Sequence, residues 1–151
     1  MSLTIRDIRR EDYGEWYAML MDYDPEIENA ELAFDRLFTV AAWTCLVACV
    51  DDVPVAFLDY QLHPSMFKIE PVCYISNLYV KPAHRRRGIA TKFMDEVFAR
   101  ARDHRWCRVY WITENENPAR CMYDKYGEQS FVRYHRDFDV PGSYEDYTPC
   151  S

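Results

Sequence analysis

One junction constrains the fold more than any other part of the sequence. It runs from Ile75 to Thr91, where β-prone residues end at Pro82, three arginines follow, and Gly88 begins a strongly periodic helix. A strand, a loop and a helix N-terminus in this order leave backbone N–H groups unpaired and direct the positive end of the helix dipole at the loop. Phosphate is the natural ligand of such a terminus. The junction therefore predicts an anion site in this loop.

The charge of the chain makes this loop stand out. Arg85, Arg86 and Arg87 bring three positive charges to a protein whose net charge is −7. The acidic balance argues against nucleic-acid binding, because a phosphate backbone would be repelled, and it favours a cationic co-substrate. An acidic surface that serves only solubility explains the balance equally well. Gly88 is one of only 4 glycines, which indicates a place where backbone approaches a ligand closely.

Length and composition bound the architecture. At 151 residues the chain is expected to form a single domain, residues 1–151, with 139–151 as a loosely held tail. Its apolar fraction of 49% is sufficient for a core. The N-terminus lacks a signal-peptide pattern, and no apolar run approaches the roughly 20 residues that cross a bilayer. We therefore expect a cytoplasmic protein without a membrane partner.

The 6 cysteines could suggest disulfides or a metal site. None of them forms a C-x-x-C pair, and several lie inside apolar runs. Cys45 and Cys49 are four residues apart in a strand-like segment, so their side chains fall on one face, as those of core residues do. Reduced, buried thiols are the favoured interpretation, with metal binding as the minor alternative.

The pattern of apolar residues predicts an α+β fold. We expect a three-layer α/β/α domain with a mixed, mostly antiparallel central sheet in the order β-α-α-β-β-β-α-β-α-β. The strand between the third and fourth helices would be parallel to the strand that precedes the third helix. The predicted strands are 3–6, 43–50, 53–62, 72–80, 109–113 and 131–138. The first two predicted helices begin near Asp12 and near Ala30, the third has about 16 residues between Gly88 and His104, and the fourth extends from Pro118 to about Tyr126.

Two motifs resemble the GNAT superfamily of acyl-CoA-dependent N-acyltransferases. Residues 85–90, Arg-Arg-Arg-Gly-Ile-Ala, match its Q/R-x-x-G-x-G/A signature, and residues 78–82, Leu-Tyr-Val-Lys-Pro, are similar to the usual strand ending before it. Downstream, residues 117–125, Asn-Pro-Ala-Arg-Cys-Met-Tyr-Asp-Lys, resemble the N-x-x-A-x-x-L-Y-e-k helix of the superfamily. The resemblance covers roughly residues 3 to 138. Both motifs occur in order, separated by a helix and a strand, which makes it strong.

The resemblance implies a binding site for acetyl-CoA. Backbone amides from about Arg86 to Thr91 would cradle the pyrophosphate, and the main chain of the preceding strand would pair with pantetheine like an added strand. The superfamily's asparagine falls at Glu116, which lies between two asparagines, so either of these could contact CoA. The residues implied in cofactor binding are Leu78, Val80, Arg85, Arg86, Arg87, Gly88, Ile89, Ala90, Thr91, and Asn115 or Asn117.

The resemblance also implies two catalytic groups. Tyr123 matches the tyrosine whose hydroxyl protonates the departing CoA thiolate, and the backbone N–H near Leu78 is the candidate donor to the oxyanion. The general base is not assigned, because Ser76 stands where several members of the superfamily carry a glutamate. Other carboxylates that could act as the base are Asp59, Glu114 and Glu116.

These residues together imply an N-acetyltransferase. The expected reaction moves an acetyl group from acetyl-CoA to a primary amine of a small cationic molecule by direct attack, with no metal. A homodimer is also expected, because homodimers are common in the superfamily. Two alternatives remain: a protein or histone lysine acetyltransferase, and a non-catalytic acyl-CoA-binding domain.

Overall fold

The computed structural model describes residues 2–138. Its sheet has five strands in the spatial order β1-β2-β3-β4-β5, which is also their order along the chain. The first three pairings are antiparallel and the last, between β4 and β5, is parallel, which confirms the predicted mixed sheet. The strands are Leu3–Asp7 (β1), Trp43–Val50 (β2), Val53–His63 (β3), Val72–Val80 (β4) and Arg108–Trp111 (β5).

Four α-helices accompany the sheet within the described residues. They are Tyr13–Tyr23 (α1), Ala30–Thr39 (α2), Ile89–His104 (α3) and Arg120–Tyr123 (α4), and short 3-10 helices occupy Arg10–Asp12 and Pro82–His84. The periodic segment that follows Gly88 is thus a helix of 16 residues, as predicted. No helix in residues 2–138 combines the length and apolar character needed to span a bilayer.

Helices cover both faces of the sheet and produce two cores. The helix α3 packs on one face, called here the α3 face, where Phe93 and Val97 meet β-strand residues such as Leu58. The helices α1 and α2 pack on the opposite face, called the α1 face, where Trp16 and Phe34 belong to the same cluster as Phe57. Successive residues of a strand point to opposite faces, so the continuous apolar runs of β2 and β3 fill both cores. The three-layer prediction is confirmed.

The cysteines divide into two groups. Cys45, Cys49 and Cys73 are buried free thiols, whereas the thiols of Cys107 and Cys121 are free and exposed. Cys45 and Cys49 lie in the same core cluster, as their spacing predicts. The prediction of reduced thiols therefore agrees with all five described cysteines, whereas burial is right for the three inside the sheet and wrong for the two outside it. The sixth, Cys150, lies outside the described residues.

Two predictions at the C-terminal end require correction. The last predicted strand, 131–138, forms no strand, and its apolar side chains are exposed, with Tyr134 at 92%. Its β-prone composition indicates only a propensity, and no strand of the described sheet donates to it or accepts from it. The helix predicted from Pro118 to about Tyr126 is limited to Arg120–Tyr123 and continues as turns. The predicted tail, 139–151, lies outside the described residues.

A bidentate ion pair ties the N-terminal strand to the start of α1. The Arg6 guanidinium donates to both carboxylate oxygens of Asp12, at 2.7 and 2.9 Å, and the backbone N–H of Arg9 donates to the same carboxylate at 2.8 Å. Asp12 is only 6% exposed. Burial alone would raise the pKa of Asp12, but the hydrogen bonds from Arg6 and Arg9 outweigh burial and lower it.

Replacing Asp12 by alanine should therefore destabilise the fold. The variant leaves a half-buried guanidinium without its counter-charge, for which we expect a loss of about 3 kcal/mol in the free energy of unfolding. The control is Asp35→Ala, which breaks the exposed ion pair with Arg10 and should cost no more than about 0.5 kcal/mol. Urea unfolding at pH 7 measures both values, and equal losses in the two variants would contradict this assignment.

Because the pKa of Asp12 is lowered in the fold, its contribution to stability is complete above about pH 4 and disappears as the pH falls further.

Candidate active site

The strands β4 and β5 separate halfway along β4. They pair only from Val72 opposite Arg108 to Ile75 opposite Trp111. The strand β4 continues to Val80, so no described strand pairs with its β5-side edge from residue 76 onward. An unpaired edge of this kind offers N–H and C=O groups to an extended ligand.

A pocket of about 130 Å³ occupies the place where these strands separate. Of the residues predicted for the site, Leu78, Asn117 and Tyr123 line it, so the structure brings together the candidate oxyanion donor and the candidate acid. Asn117 is held by its own hydrogen bonds, donating to Thr113 Oγ1 at 2.8 Å and accepting from the backbone of Ala119 at 2.9 Å. The other lining residues are Tyr23, Ile75, Ser76, Asn77, Met94, Trp111, Ile112 and Thr113.

The neighbours of Asn117 in the sequence lie outside this pocket. Asn115, Glu114 and Glu116 are exposed and are not among the lining residues. The geometry therefore separates the two candidate asparagines, with Asn117 at the pocket and Asn115 on the surface.

Tyr123 enters the pocket from α4. Its ring packs against Trp111 with ring centroids 5.7 Å apart, which fixes its direction. Burial raises the pKa of Tyr123, so its hydroxyl keeps its proton at neutral pH. A protonated hydroxyl in this place can donate to a thiolate leaving group.

The arginine–glycine turn presents backbone N–H groups in front of α3. Arg86 and Gly88 adopt left-handed backbone conformations, with φ of 60° and 79°. Gly88 is the N-cap of α3, and no side chain caps the helix, so the first N–H groups of α3 have no acceptor within it. Ile89 is only 3% exposed, so its side chain belongs to the core and only its backbone faces the turn. Ala90 and Thr91 follow it, half-buried, in the first turn. The arrangement suits a phosphate.

The three arginines of the turn differ in what they contact. Arg85 Nε donates to the backbone oxygen of Val80 at 2.8 Å, and its guanidinium lies 5.6 Å from the centre of the Tyr79 ring. Arg85 therefore fixes the end of β4. Val80 keeps a second lone pair on that oxygen for another donor. Arg86 and Arg87 are exposed at the mouth of the turn.

A β-bulge places a polar network beside the pocket. Asp59 pairs with Asn77 and Tyr60 pairs with Ile75, which leaves Ser76 as the extra residue of β4. The side-chain nitrogen of Asn77 donates to both carboxylate oxygens of Asp59, each at 3.0 Å. The Tyr23 hydroxyl donates to the side-chain oxygen of Asn77 at 3.1 Å. The pocket wall on the α1 face is thus a chain of hydrogen bonds that ends on a carboxylate.

Asp59 is the carboxylate whose proton affinity is most altered in this region. Burial raises its pKa to about 6, although hydrogen bonds from Asn77 and Ser76 act in the opposite direction. The pKa of Tyr23 is also raised, by burial and then by the negative charge of Asp59. Asn77 and Tyr23 are functional candidates that the sequence analysis missed. A polar pair, Ser76 and Asn77, inside an otherwise apolar strand was the available signal, whereas nothing in the sequence distinguishes Tyr23 from the other tyrosines.

A larger depression, of about 520 Å³, contains none of the predicted site residues. It is formed by Lys68, Glu70, Arg102 and Arg105 with parts of α3 and the segment that leads to β5. Larger volume does not favour it over the smaller pocket, which holds the convergent polar groups. Within residues 2–138, no three histidines, cysteines or carboxylates lie together as metal ligands.

The raised pKa of Asp59 leads to a prediction about stability. Between about pH 4 and pH 6 the folded state binds more protons than the unfolded chain, so Asp59 makes stability fall as the pH rises through this window. Asp59→Asn removes this dependence. The stability of the variant relative to wild type, measured as the difference in their free energies of unfolding, should therefore be greater at pH 8 than at pH 4.5. Urea unfolding at both pH values measures the change, with Asp24→Asn as the control for losing an exposed carboxylate. A difference that is the same at both pH values would contradict the prediction.

Comparisons with known proteins agree with this geometry. The model of the acetyltransferase (GNAT) family matches residues 3–127. The D-amino-acid N-acetyltransferase HPA3 of Saccharomyces cerevisiae is 27% identical over 133 residues, which cover 82% of this chain and 83% of the yeast protein. The region that the family model matches, residues 3–127, contains all five strands of the sheet, the arginine–glycine turn and Tyr123.

Solved structures share the fold at low identity. A ribosomal-protein-alanine N-acetyltransferase from Brucella melitensis biovar Abortus 2308 superimposes with a TM-score of 0.80 at 21% identity, covering 91% of this chain and all (100%) of its own. The aminoglycoside enzyme AAC(6')-Iy, solved with a bisubstrate analogue of CoA and acetylneamine, gives 0.76 at 18% identity, covering 91% of this chain and 99% of its own. The family match, the fold and the residues at the separated strands lead to one conclusion: the chain belongs to the acetyltransferase (GNAT) family.

Proposed function

We propose that this protein transfers the acetyl group of acetyl-CoA to a primary amine of a small cationic molecule. The observation that carries the proposal is the unpaired edge of β4, which connects Leu78 and Tyr123 at the pocket with the N-terminus of α3. One end of this path suits a thioester and a departing thiolate, and the other suits a pyrophosphate. Membership of an acyl-CoA-dependent family supports CoA as the molecule that spans it.

In this proposal the donor binds mainly through backbone groups. Pantetheine extends along residues 76–80 as an added strand, and the pyrophosphate accepts from the N–H groups at the start of α3. Arg86 and Arg87 lie at the mouth of the turn and add positive charge. Asn117 lines the pocket beyond the end of β5, where it can reach the pantetheine arm.

The proposed chemistry is direct attack on the thioester. The nitrogen of the neutral amine attacks the acetyl carbonyl carbon, and the resulting oxyanion accepts from the backbone N–H of Leu78. The C–S bond then breaks, and the sulfur takes the proton of the Tyr123 hydroxyl. The nitrogen releases its proton to solvent, from which Tyr123 is reprotonated. The products are the N-acetyl amine and CoA with a free thiol.

A small-molecule acceptor is supported by relatives. The yeast relative is named for D-amino acids, and the AAC(6')-Iy structure contains an aminoglycoside-derived group. A protein amine is the second candidate, because the Brucella structure is named for ribosomal-protein alanine. An amine panel and a peptide panel with acetyl-CoA, read out by release of free thiol, would distinguish the two acceptors. Binding of CoA without turnover of either panel would indicate a non-catalytic domain.

A cytoplasmic location and a homodimer remain predictions. Sedimentation velocity would measure the oligomeric state.

Tyr123→Phe tests the catalytic acid. Removing the hydroxyl should lower kcat by roughly 10²- to 10⁴-fold, the range of general acid catalysis, because the thiolate must leave unprotonated. Calorimetry should show acetyl-CoA affinity within about twofold of wild type, since the hydroxyl acts only in the transition state. The control is Tyr126→Phe, which removes a hydroxyl bonded to Asp95 and to the backbone of Thr91 instead. Full activity in Tyr123→Phe would remove this residue from the mechanism.

Gly88→Ala tests the pyrophosphate site. Nothing lies within 4 Å of an added Cβ, so the methyl group meets no protein atom, although φ of +79° strains it. We expect a stability loss of about 1 kcal/mol from the strain. The methyl group would occupy the approach to the N–H groups of α3, so the affinity for acetyl-CoA should fall by about tenfold or more. Gly14→Ala, also without contacts but in the first turn of α1, is the control and should leave affinity unchanged. Wild-type affinity in Gly88→Ala would place the pyrophosphate elsewhere.

A further inference from the structure

A set of polar and aromatic residues lies on the α1 face beside the pocket. We call it the Asp59 patch, and it consists of Asp59, Asn77, Tyr23, Tyr74 and Tyr110. The neighbours of Tyr74 and Tyr110 within their strands belong to the core on the α3 face, so these two tyrosines point to the opposite face. Their rings stack with centroids 4.9 Å apart. The patch thus has an aromatic floor next to the hydrogen-bonded chain that ends on Asp59.

The carboxylate of Asp59 has no cationic partner in the described part of the chain. It is half-buried, and its hydrogen bonds come from Asn77 and Ser76, which are neutral. No lysine, arginine or histidine of residues 2–138 forms a salt bridge with it. Removing a carboxylate from water without an opposite charge is costly, so such groups are usually paired or functional. A ligand cation would supply the missing charge.

The hydrogen bonds of the patch present two acceptor atoms to such a cation. Asp59 holds the nitrogen of the Asn77 amide, and this fixes the amide oxygen toward Tyr23. The Tyr23 hydroxyl donates its hydrogen bond to that oxygen, so its own lone pairs remain free to accept. The two oxygens are 3.1 Å apart, and both can accept from one primary ammonium, which has three N–H donors.

We propose that the Asp59 patch binds the ammonium group of the acceptor, with Asn77 and Tyr23 contacting it and Asp59 acting as the positioning residue behind them. The bound ammonium releases one proton to solvent before it attacks the thioester as the neutral amine. The inference rests on the proposed function and makes it more specific. The acceptor class is an organic amine with an apolar or aromatic part that covers Tyr74 and Tyr110, and without a carboxylate beside the amine, which Asp59 would repel. Rings of tyrosine also attract a cation above their faces.

The test uses 2-phenylethylamine as the cation and 2-phenylethanol as its neutral isostere. Aliphatic amines keep their proton up to about pH 8, so the charge of the probe is constant between pH 5 and pH 7.5. Binding is measured by NMR titration without acetyl-CoA. Other titratable groups interact electrostatically with Asp59 or with Tyr23: Asp24 at the end of α1, Cys45 of β2, Tyr74 of β4 and Tyr123 of α4. Tyr110 of β5 stacks on Tyr74, and His63 of β3 contacts Tyr110. His63 contacts the Tyr110 hydroxyl at 3.0 Å, so the pH series is repeated in His63→Gln.

Wild type should bind the amine about 5- to 10-fold more tightly at pH 7.5 than at pH 5, because Asp59 is mostly protonated and neutral at pH 5 and carries its negative charge at pH 7.5. Asp59→Asn should bind weakly at both pH values, and 2-phenylethanol should bind wild type weakly at both. Asp24→Asn, which removes an equal charge outside the patch, and His63→Gln should both keep the wild-type dependence. Asn77→Ala should weaken binding of the amine at pH 7.5. The proposal is overturned if wild type does not bind the amine in the millimolar range, or if Asp59→Asn retains its affinity and pH dependence.

Turnover provides a separate measurement. With acetyl-CoA, wild type should have a kcat/KM at least about tenfold higher for 2-phenylethylamine than for D- or L-phenylalanine, which add a carboxylate. Asp59→Asn should raise KM for the amine about tenfold, with a smaller change in kcat, and leave the affinity for acetyl-CoA unchanged. If wild type neither binds acetyl-CoA nor acetylates any amine, the proposed function fails while the NMR titration still decides the Asp59 patch. A preference for phenylalanine would overturn the proposed acceptor class alone.

Discussion

The candidate site depends on the contacts between α1 and the second half of β4, which no longer pairs with β5. Three side-chain hydrogen bonds join α1 to β4 and to Lys81, the residue that follows it. Lys81 donates to Glu15 at 2.7 Å, the Tyr79 hydroxyl donates to Asp22, and the Tyr23 hydroxyl donates to Asn77 at 3.1 Å. Asn77, Tyr79 and Lys81 alternate along the chain, so all three point to the α1 face. These contacts stabilise residues that lack one neighbouring strand, and they do so without using the backbone edge that a ligand needs.

The bulge at Ser76 determines which side chains of β4 point to each face of the sheet. Before it, β4 is an ordinary inner strand between β3 and β5. After it, Leu78 and Val80 pack toward the α3 core, whereas Asn77 faces Asp59 and α1. The proposed donor and the proposed acceptor would therefore approach the same few residues from different sides of the sheet. Bulges are frequent next to active sites because they redirect one side chain without breaking the sheet.

Local patterns predicted most of the fold, and long-range geometry accounts for what they missed. The bounds of β2 and β4 agree with the predicted strands, and the helix after Gly88 begins where the glycine indicates. The same reasoning placed a strand at 131–138, since β propensity does not reveal whether an edge is available. It placed Tyr123 and Leu78 at one site through the resemblance. Neither Tyr23 nor the unusual environment of Asp59 could be found in this way, because the hydrogen bonds of Asn77 depend on a bulge that no local pattern predicts.

The last turn of α1 also connects the two halves of the candidate site. Asp22 accepts from Tyr79, whose ring lies 5.6 Å below the Arg85 guanidinium at the entrance to the arginine–glycine turn. The next residue, Tyr23, contacts Asn77 in the Asp59 patch. Burial, and then the hydrogen bond to Asp22, raises the pKa of Tyr79 to about 12, so this hydroxyl remains a donor throughout the physiological range. Two adjacent residues of one helix thus fix a wall on the α1 face and the strand end that leads to the turn, and any movement of that helix end changes both together.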